Sequence, residues 1–362
     1  MSNSFGRNFV VTLFGESHGR CVGVIVDGCP PGIVLDESLI QADLDKRKPT
    51  SEKYSTARVE KDKVEILSGV FQGHSTGAPI CMVVWNKGAR PEEYEEFRWK
   101  PRPGHADYPA YVKYRGFHDY RGGGIFSARL MVGLVAAGAI AKQILKKFGV
   151  EILAHVVEIG GIGITHKPSV EELRSKVYKS PLRCVDDEAA SKMEKLIEEA
   201  KREGDSLGGI IECIALNMPP GVGDPVFHSL DADLAHLLFC IPAVKGVEFG
   251  AGFEASRLKG SENNDQYAVK DGKIITLTNN AGGILGGLTT GMPIVVRVAF
   301  KPPSSIAKPQ KTVNLKTMEE AEIRVKGRHD VCFIPRAVPI VEAAVACVLA
   351  DHILNEGKWS TQ

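Results

Sequence analysis

The chain has few of the features that assign a protein to a membrane, a metal centre or an oxidising compartment. No uninterrupted apolar run approaches the ~18 residues that a bilayer span requires. The opening stretch MSNSFGRNFVVTLFG has neither the long apolar segment nor the small-residue cleavage site of a secretory signal. A cytoplasmic location without membrane attachment is therefore expected. The eight cysteines, Cys21, Cys29, Cys81, Cys184, Cys213, Cys240, Cys332 and Cys347, are scattered, mostly within apolar runs, and no two form a CxxC pair. That pattern offers no metal-ligand spacing and predicts buried, reduced thiols. The net charge is only +1, which argues against a broad nucleic-acid-binding surface but not against local clusters. No strand–GxGxxG–helix fingerprint of a dinucleotide-binding half is evident either.

What is present is a core and a repeat. With 362 residues, 43% of them hydrophobic, the chain can bury a substantial interior. VIVDGCPPG at 24–32 is echoed by CIALNMPPG at 213–221, and SLIQADL at 38–44 by SLDADL at 229–234. In the same order, STGAPICMVV at 75–84 matches TTGMPIVVRV at 289–298, and VAAGAIAKQIL at 135–145 resembles AVACVLADHIL at 344–354. Four weak matches in one order predict two similar halves, about 10–150 and 208–355, within a single domain spanning 1–362. Each half reads as strand, PPG turn, short helix, further strands and a long alanine-rich helix. The long helices are apolar nearly all round and should be buried. Because turns rather than crossover helices link the strands, the expected class is α+β, with the long helices packed against antiparallel sheets. The charged stretch 168–204 reads as a solvated helical connector.

Several glycine-rich polar segments are candidates for chemistry. GDSLGG at 204–209 looks like a hydrolase signature, but it follows a charged helix and precedes a strand, the reverse of a nucleophile elbow. Asp205 and Ser206 fit better as turn residues after the glycine that stops that helix. FGESHG at 14–19 sets Ser17 beside His18. Neighbours in an extended segment point to opposite sides, so the two are poorly placed as nucleophile and base, although they serve one site if the glycines turn the chain. RPGHADY at 102–108 holds His105 and Asp107, and DYRGGGIFSAR at 119–129 leads three glycines to Ser127 and a buried helix. A glycine-rich turn entering a helix presents backbone N–H groups to an anion. KPPSSI at 301–306 offers a second cradle, KGRHDVC at 326–332 brings Arg328, His329 and Asp330, and DKRKPTSEKYSTAR at 45–58 gathers Arg47, Lys53 and other basic residues. Together they point to a small polyanionic ligand.

At this density of motifs the chain resembles the chorismate synthase family. GESHG with the following DGCPPG turn, RPGHADY, YRGGG leading to SAR, VKGVE, AGGILGG, KPPSSI, and GRHD ahead of RAVPIVEA occur in order between Phe14 and Leu354. The resemblance implies conversion of 5-enolpyruvylshikimate 3-phosphate to chorismate by 1,4-anti elimination of phosphate. It also implies reduced FMN, with NADPH as the reductant in some members, and a β-α-β sandwich with a pseudo-twofold, usually in a homotetramer. By the same resemblance His18 faces the substrate and helps protonate the departing phosphate, His105 manages a proton at the flavin pyrimidine edge, and Asp330 lies near the flavin N5. Ser17 becomes a hydrogen-bonding partner, and Arg47, Lys53, Arg129 and Arg328 hold the substrate's anionic groups. Ile125, Phe126, Ser127, Pro242, Ala243, Gly286, Arg328 and the run Lys301, Pro302, Pro303, Ser304 and Ser305 line the flavin. Ile125 and Phe126 replace polar residues common in the family, RKPTSEK lacks the glycine usual after Pro49, and Lys53 stands where arginine is common. Two other readings of the same residues are a reduced-flavin oxidoreductase, which would consume reductant in step with product, and a noncatalytic anion-binding protein.

Overall fold

A computed structural model describes residues 3–48, 62–87, 91–325 and 329–357. The first half contains β1 (Ser4–Phe5), β2 (Val10–Gly15), β3 (Cys21–Asp27), α1 (Glu37–Lys46), β4 (Val64–Ile66), a small hairpin of β5 (Val70–Phe71) and β6 (His74–Ser75), β7 (Ile80–Trp85), α2 (Asp107–Lys113) and α3 (Met131–Lys146). There follow β8 (Glu151–Ile159), β9 (Ile162–Gly163), α4 (Val170–Lys176), α5 (Asp187–Glu203), β10 (Gly209–Leu216), α6 (Leu230–Phe239), β11 (Val244–Phe249) and the single turn α7 (Gly260–Asn263). Hairpins β12 (Tyr267–Lys270) with β13 (Lys273–Thr276) and β14 (Ile284–Leu285) with β15 (Leu288–Thr289) precede β16 (Ile294–Phe300). A last hairpin, β17 (Gln310–Asn314) with β18 (Glu319–Ile323), leads to α8 (Ile334–Asn355).

Two antiparallel five-stranded sheets, ordered β1-β2-β3-β7-β4 and β11-β16-β10-β8-β9, enclose the long helices, so the fold is α+β. Matched element by element, β2-β3-α1-β4-β7-α3 runs as β8-β10-α6-β11-β16-α8, with the same neighbours in each sheet. The second run starts at Glu151, ahead of the charged connector rather than after it. The connector is docked, not simply solvated. The amphipathic faces of α4 and α5 bury Leu173, Met193 and Ile197 in the main core, while their lysines and glutamates face water. Asp186 caps the start of α5 and Gly204, at φ 71°, ends it in the left-handed conformation that glycine adopts at least cost.

The helices α3 and α8 lie side by side at the centre. A Cβ on Gly138 of α3 would lie 2.3 Å from the Cβ of Ala343 on α8, so the missing side chain is what lets the two backbones approach. Beside this seam Lys142 bonds Asp43 of α1 at 2.9 Å and Glu342 of α8 at 3.0 Å. Burial alone works against the Lys142 charge, but the two carboxylates overcome it and hold its pKa above the usual lysine range. Averaged over their length, Ala128–Lys146 and Ile334–Asn355 are long and apolar enough to cross a membrane, although neither is an uninterrupted apolar run. In their most apolar 18-residue stretches 78% and 94% of the residues are buried inside the protein, which accounts for their composition. Cys29, Cys184, Cys213, Cys332 and Cys347 are buried thiols, whereas Cys240 is exposed.

Candidate active site

The turn between β2 and β3 is set by Gly15, at φ 94°, where a Cβ would lie 2.2 Å from the Cys21 carbonyl oxygen. Because the chain turns here, Ser17 and His18 do not diverge as they would in a strand. Their side chains meet, Ser17 Oγ to His18 Nδ1, at 2.8 Å. Ser17 Oγ also lies 3.1 Å from the Gly122 carbonyl oxygen. A hydroxyl has one proton. Donated to that carbonyl, it leaves an oxygen lone pair able to accept from Nδ1–H of His18, and the contact fixes the orientation of the imidazole. The Tyr94 ring meets the imidazole edge-on at 4.6 Å between centroids.

The triple glycine packs against both histidines. Gly122, Gly123 and Gly124 have φ of 58°, 84° and 53°. A Cβ on Gly122 would lie 2.3 Å from His18 Cε1, and one on Gly123 would lie 3.2 Å from Cε1 and Nε2 of His105. Glycine is therefore needed both for the conformation and for the contact. His105 Nδ1 in turn lies 2.6 Å from Asp107. Asp107 is gripped by Arg102 through Nε at 2.8 Å and Nη2 at 2.9 Å. Burial lowers the His105 pKa, Arg102 and Lys301 push the same way, and Asp107 opposes them.

A cationic cluster lies beside this pair. Arg47 and Arg129 both bind the buried Asp62, the former at 3.1 Å, and Arg129 Nε donates to Asn86 at 3.1 Å. Arg47 is nearly fully enclosed; burial, together with Arg336 and Arg129, brings its pKa down to about 10 against the opposing pull of Asp62. Arg336 donates to Asp330 at 2.7 Å and to the Arg47 carbonyl oxygen at 3.4 Å.

A cavity of about 650 Å³ opens among these segments. It brings together His105, Asp330, Ile125, Phe126, Ser127, Pro242, Ala243 and the whole run Lys301 to Ser305. Lys301 Nζ and Ser304 Oγ both donate to the Gly104 carbonyl oxygen, tying the 301–305 loop to the His105 turn. Ser206, the hydrolase-like serine, donates to the Pro303 carbonyl oxygen at 2.7 Å and so supports that loop. His18 is reached through Gly122 and Tyr94, which line the cavity. Arg47 and Arg129 lie behind the wall, where Arg47 donates to the Ala128 carbonyl oxygen. Gly286 does not line the cavity; it turns the β14–β15 hairpin, with open space where a Cβ would be. Lys53 and Arg328 lie outside the described residues. Sequence reasoning missed the roles of Arg102 and Arg336, though both stand inside the recognised RPGHADY and RAVPI motifs, and it missed Asp62 and Tyr94, which carry no local signal.

Comparison with known proteins adds an independent line. The family model for chorismate synthase matches residues 9–354. The chain belongs to the chorismate synthase family. It is 51% identical over 357 residues to a chorismate synthase of Dehalococcoides mccartyi, covering 99% of this chain and 98% of that one. It is 54% identical over 356 residues to one of Methanosarcina barkeri, with coverage of 98% and 97%. The fold superposes on a crystal structure of chorismate synthase with a TM-score of 0.77 at 33% identity, covering 97% of this chain and 93% of that chain. The activity is thus that of a chorismate synthase, a lyase that completes the shikimate pathway by forming chorismate from 5-enolpyruvylshikimate 3-phosphate, in a family that uses reduced flavin. The cavity suits such a group: its volume lies in the range of about 300–1,000 Å³ common to small-molecule sites. Ile125, Phe126 and Pro242 offer apolar walls to a planar ring, and Lys301 and Lys245 are cations at the rim.

Proposed function

We propose that the cavity holds FMN in its reduced form with the substrate beside it, and that His18, His105 and Asp330 carry the proton transfers. The observation that carries this reading is that both histidines pack against one triple glycine, His18 at Gly122 and His105 at Gly123, next to a cavity rich in cations and hydroxyls. Ile125, Phe126, Ser127, Pro242, Ala243 and the 301–305 loop would hold the flavin, which when bound supplies the electron density that eases loss of a poorly activated allylic phosphate. His18, oriented by Ser17 at Nδ1, would deliver the Nε2 proton of its imidazolium form to the departing phosphate and be left as the neutral ring. His105 holds or releases a proton at Nε2. Asp330, bonded by Arg336 at 2.7 Å, would stand beside the flavin N5, the atom expected to collect the proton lost from the ring. Arg47 and Arg129, with Lys53 and Arg328, supply the positive field for the substrate's anionic groups. The same reading makes the chain one cytoplasmic domain working as a homotetramer, with NADPH as a candidate flavin reductant.

The test is an anaerobic assay with photoreduced FMN, with and without NADPH. One charge of reductant should support many turnovers, because the elimination starts and ends at the same oxidation level, and oxidised FMN should support none. Product formed only in proportion to reductant consumed would favour an oxidoreductase and overturn this reading. Activity on oxidised FMN supplemented with NADPH alone would show that the chain reduces its own flavin.

A further inference from the structure

We propose that Asp107, locked by Arg102, is the positioning residue for His105: its carboxylate takes the Nδ1–H bond and keeps the imidazole in the tautomer that offers Nε2 to the ligand cavity. The proposal rests on the reading of His105 as an acid–base residue. At 2.6 Å from Asp107 Oδ1, His105 Nδ1 must be the donor, because an ionised carboxylate only accepts. Ionisation of Asp107 is secured by its other partners. Arg102 meets both its oxygens, and the Arg102 backbone N–H donates to Oδ2 at 3.0 Å. Burial would favour the protonated acid, but these bonds and His105 hold its pKa well below the usual carboxylate range.

Arg102 is itself immobilised. Its guanidinium lies over the Phe97 ring at 4.6 Å and donates through Nη1 to Ser305 Oγ at 3.2 Å, on the loop that lines the cavity. Its Nη2 is 3.1 Å from His105 Nδ1 and 3.2 Å from Nε2. An atom so nearly equidistant from both ring nitrogens sits against the ring face, since in the ring plane it would collide with Cε1. The charged groups facing the imidazole are thus Asp107, Arg102 and Lys301. The two cations oppose a second proton while the carboxylate fixes the first one on Nδ1. His105 lines the cavity and Asp107 stands behind it, outside the lining. Nε2 is left as the nitrogen through which His105 acts, and the arrangement resembles the orienting carboxylate behind other catalytic and metal-binding histidines.

The experiment combines the flavin-loaded enzyme labelled with ¹⁵N at histidine, in which the His105 signals are assigned by their loss in His105→Ala, with steady-state kinetics of Asp107→Asn, His105→Ala and the double variant. At neutral pH the proton should be on Nδ1 and absent from Nε2. Asp107→Asn should lower kcat by about 10- to 100-fold, change KM by less than about threefold, and move the His105 limb of the kcat–pH profile. In the His105→Ala background it should cost less than about twofold, because a positioning residue with nothing to position has no further effect on turnover. A His105 proton on Nε2, or Asp107→Asn with wild-type kcat and pH profile while His105→Ala is impaired, overturns the proposal and leaves the role of His105 standing. Wild-type turnover in His105→Ala overturns both. The tautomer, measured in the unsubstituted enzyme, decides the case should Asp107→Asn fail to fold.

Discussion

The two halves share a strand order but divide the chemistry. In each, the connection from the fourth-placed strand into the long helix, 86–130 after β7 and 301–333 after β16, reaches the same cavity, because α3 and α8 both start beside it: Met131 and Phe333 line it together. The first connection brings His105, Arg102 and Asp107; the second brings Lys301, Ser304, Ser305 and Asp330. Elsewhere the equivalent links diverge. The β2–β3 link is a tight turn carrying Ser17 and His18, which pack against the cavity-lining Gly122, whereas its counterpart between β8 and β10 is expanded into β9, α4 and α5. A common topology can therefore gather two loops at one place, each bringing an imidazole, His105 from the first and His329 from the second, while Lys301 and the serine pair Ser304 and Ser305 come from the second.

The division breaks most sharply at the histidines of the first half. His18→Ala and His105→Ala should each lower turnover by about 10- to 10⁴-fold at saturating flavin and substrate, the range for a positioned acid or base. Lys301→Ala should mainly weaken flavin binding, read by fluorescence titration. Equal losses of kcat at all three positions would erase the distinction. Next in size is the seam between the halves: Glu342→Ala leaves the half-buried Lys142 with only Asp43, and should cost about 1.5–3 kcal/mol in denaturant unfolding. A loss under about 1 kcal/mol would show that the halves are not joined by this pair.

Arg129→Ala comes third. It should weaken substrate binding by roughly 1.5–3 kcal/mol, and because Arg129 shares Asp62 with Arg47 it should also lower the melting temperature. An unchanged melting curve would mark it as a purely ligand-facing cation. Gly122→Ala should cost about 1–2 kcal/mol in backbone strain alone and abolish most turnover by displacing His18, while Gly286→Ala, with φ 59° but open space, should show the strain without the catalytic loss. The smallest effect is on pH. Asp107 has a folded-state pKa below its unfolded value, so its stabilisation is present above about pH 4 and is lost as pH falls toward the folded value. Asp107→Asn should flatten that part of the stability–pH curve.

Much of this was legible in consecutive residues. The long helices announced themselves by being apolar on every side, the glycine after the charged helix by its position, and the site by motifs that each hold their polar groups within a few residues, as in RPGHADY and YRGGG. Of the two arrangements the sequence left open for Ser17 and His18, divergence as in a strand or convergence if the glycines turn the chain, the second is found, because Gly15 and its neighbours fold the segment into a turn that period-two reasoning does not describe.

By itself the sequence determined the elements, their burial and the family, since periodicity, glycine conformation and collinear motifs are properties of neighbours along the chain. Only the tertiary structure decided which charges meet. The Arg47–Asp62–Arg129 cluster, the reach of Arg336 to the Arg47 carbonyl, the bond from Arg102 to Ser305 and the exclusion of Gly286 from the cavity join or separate residues far apart in the chain. Such pairings depend on how two sheets close over two helices, and a buried ion finds its partner only once that closure has removed the water that would otherwise have solvated it.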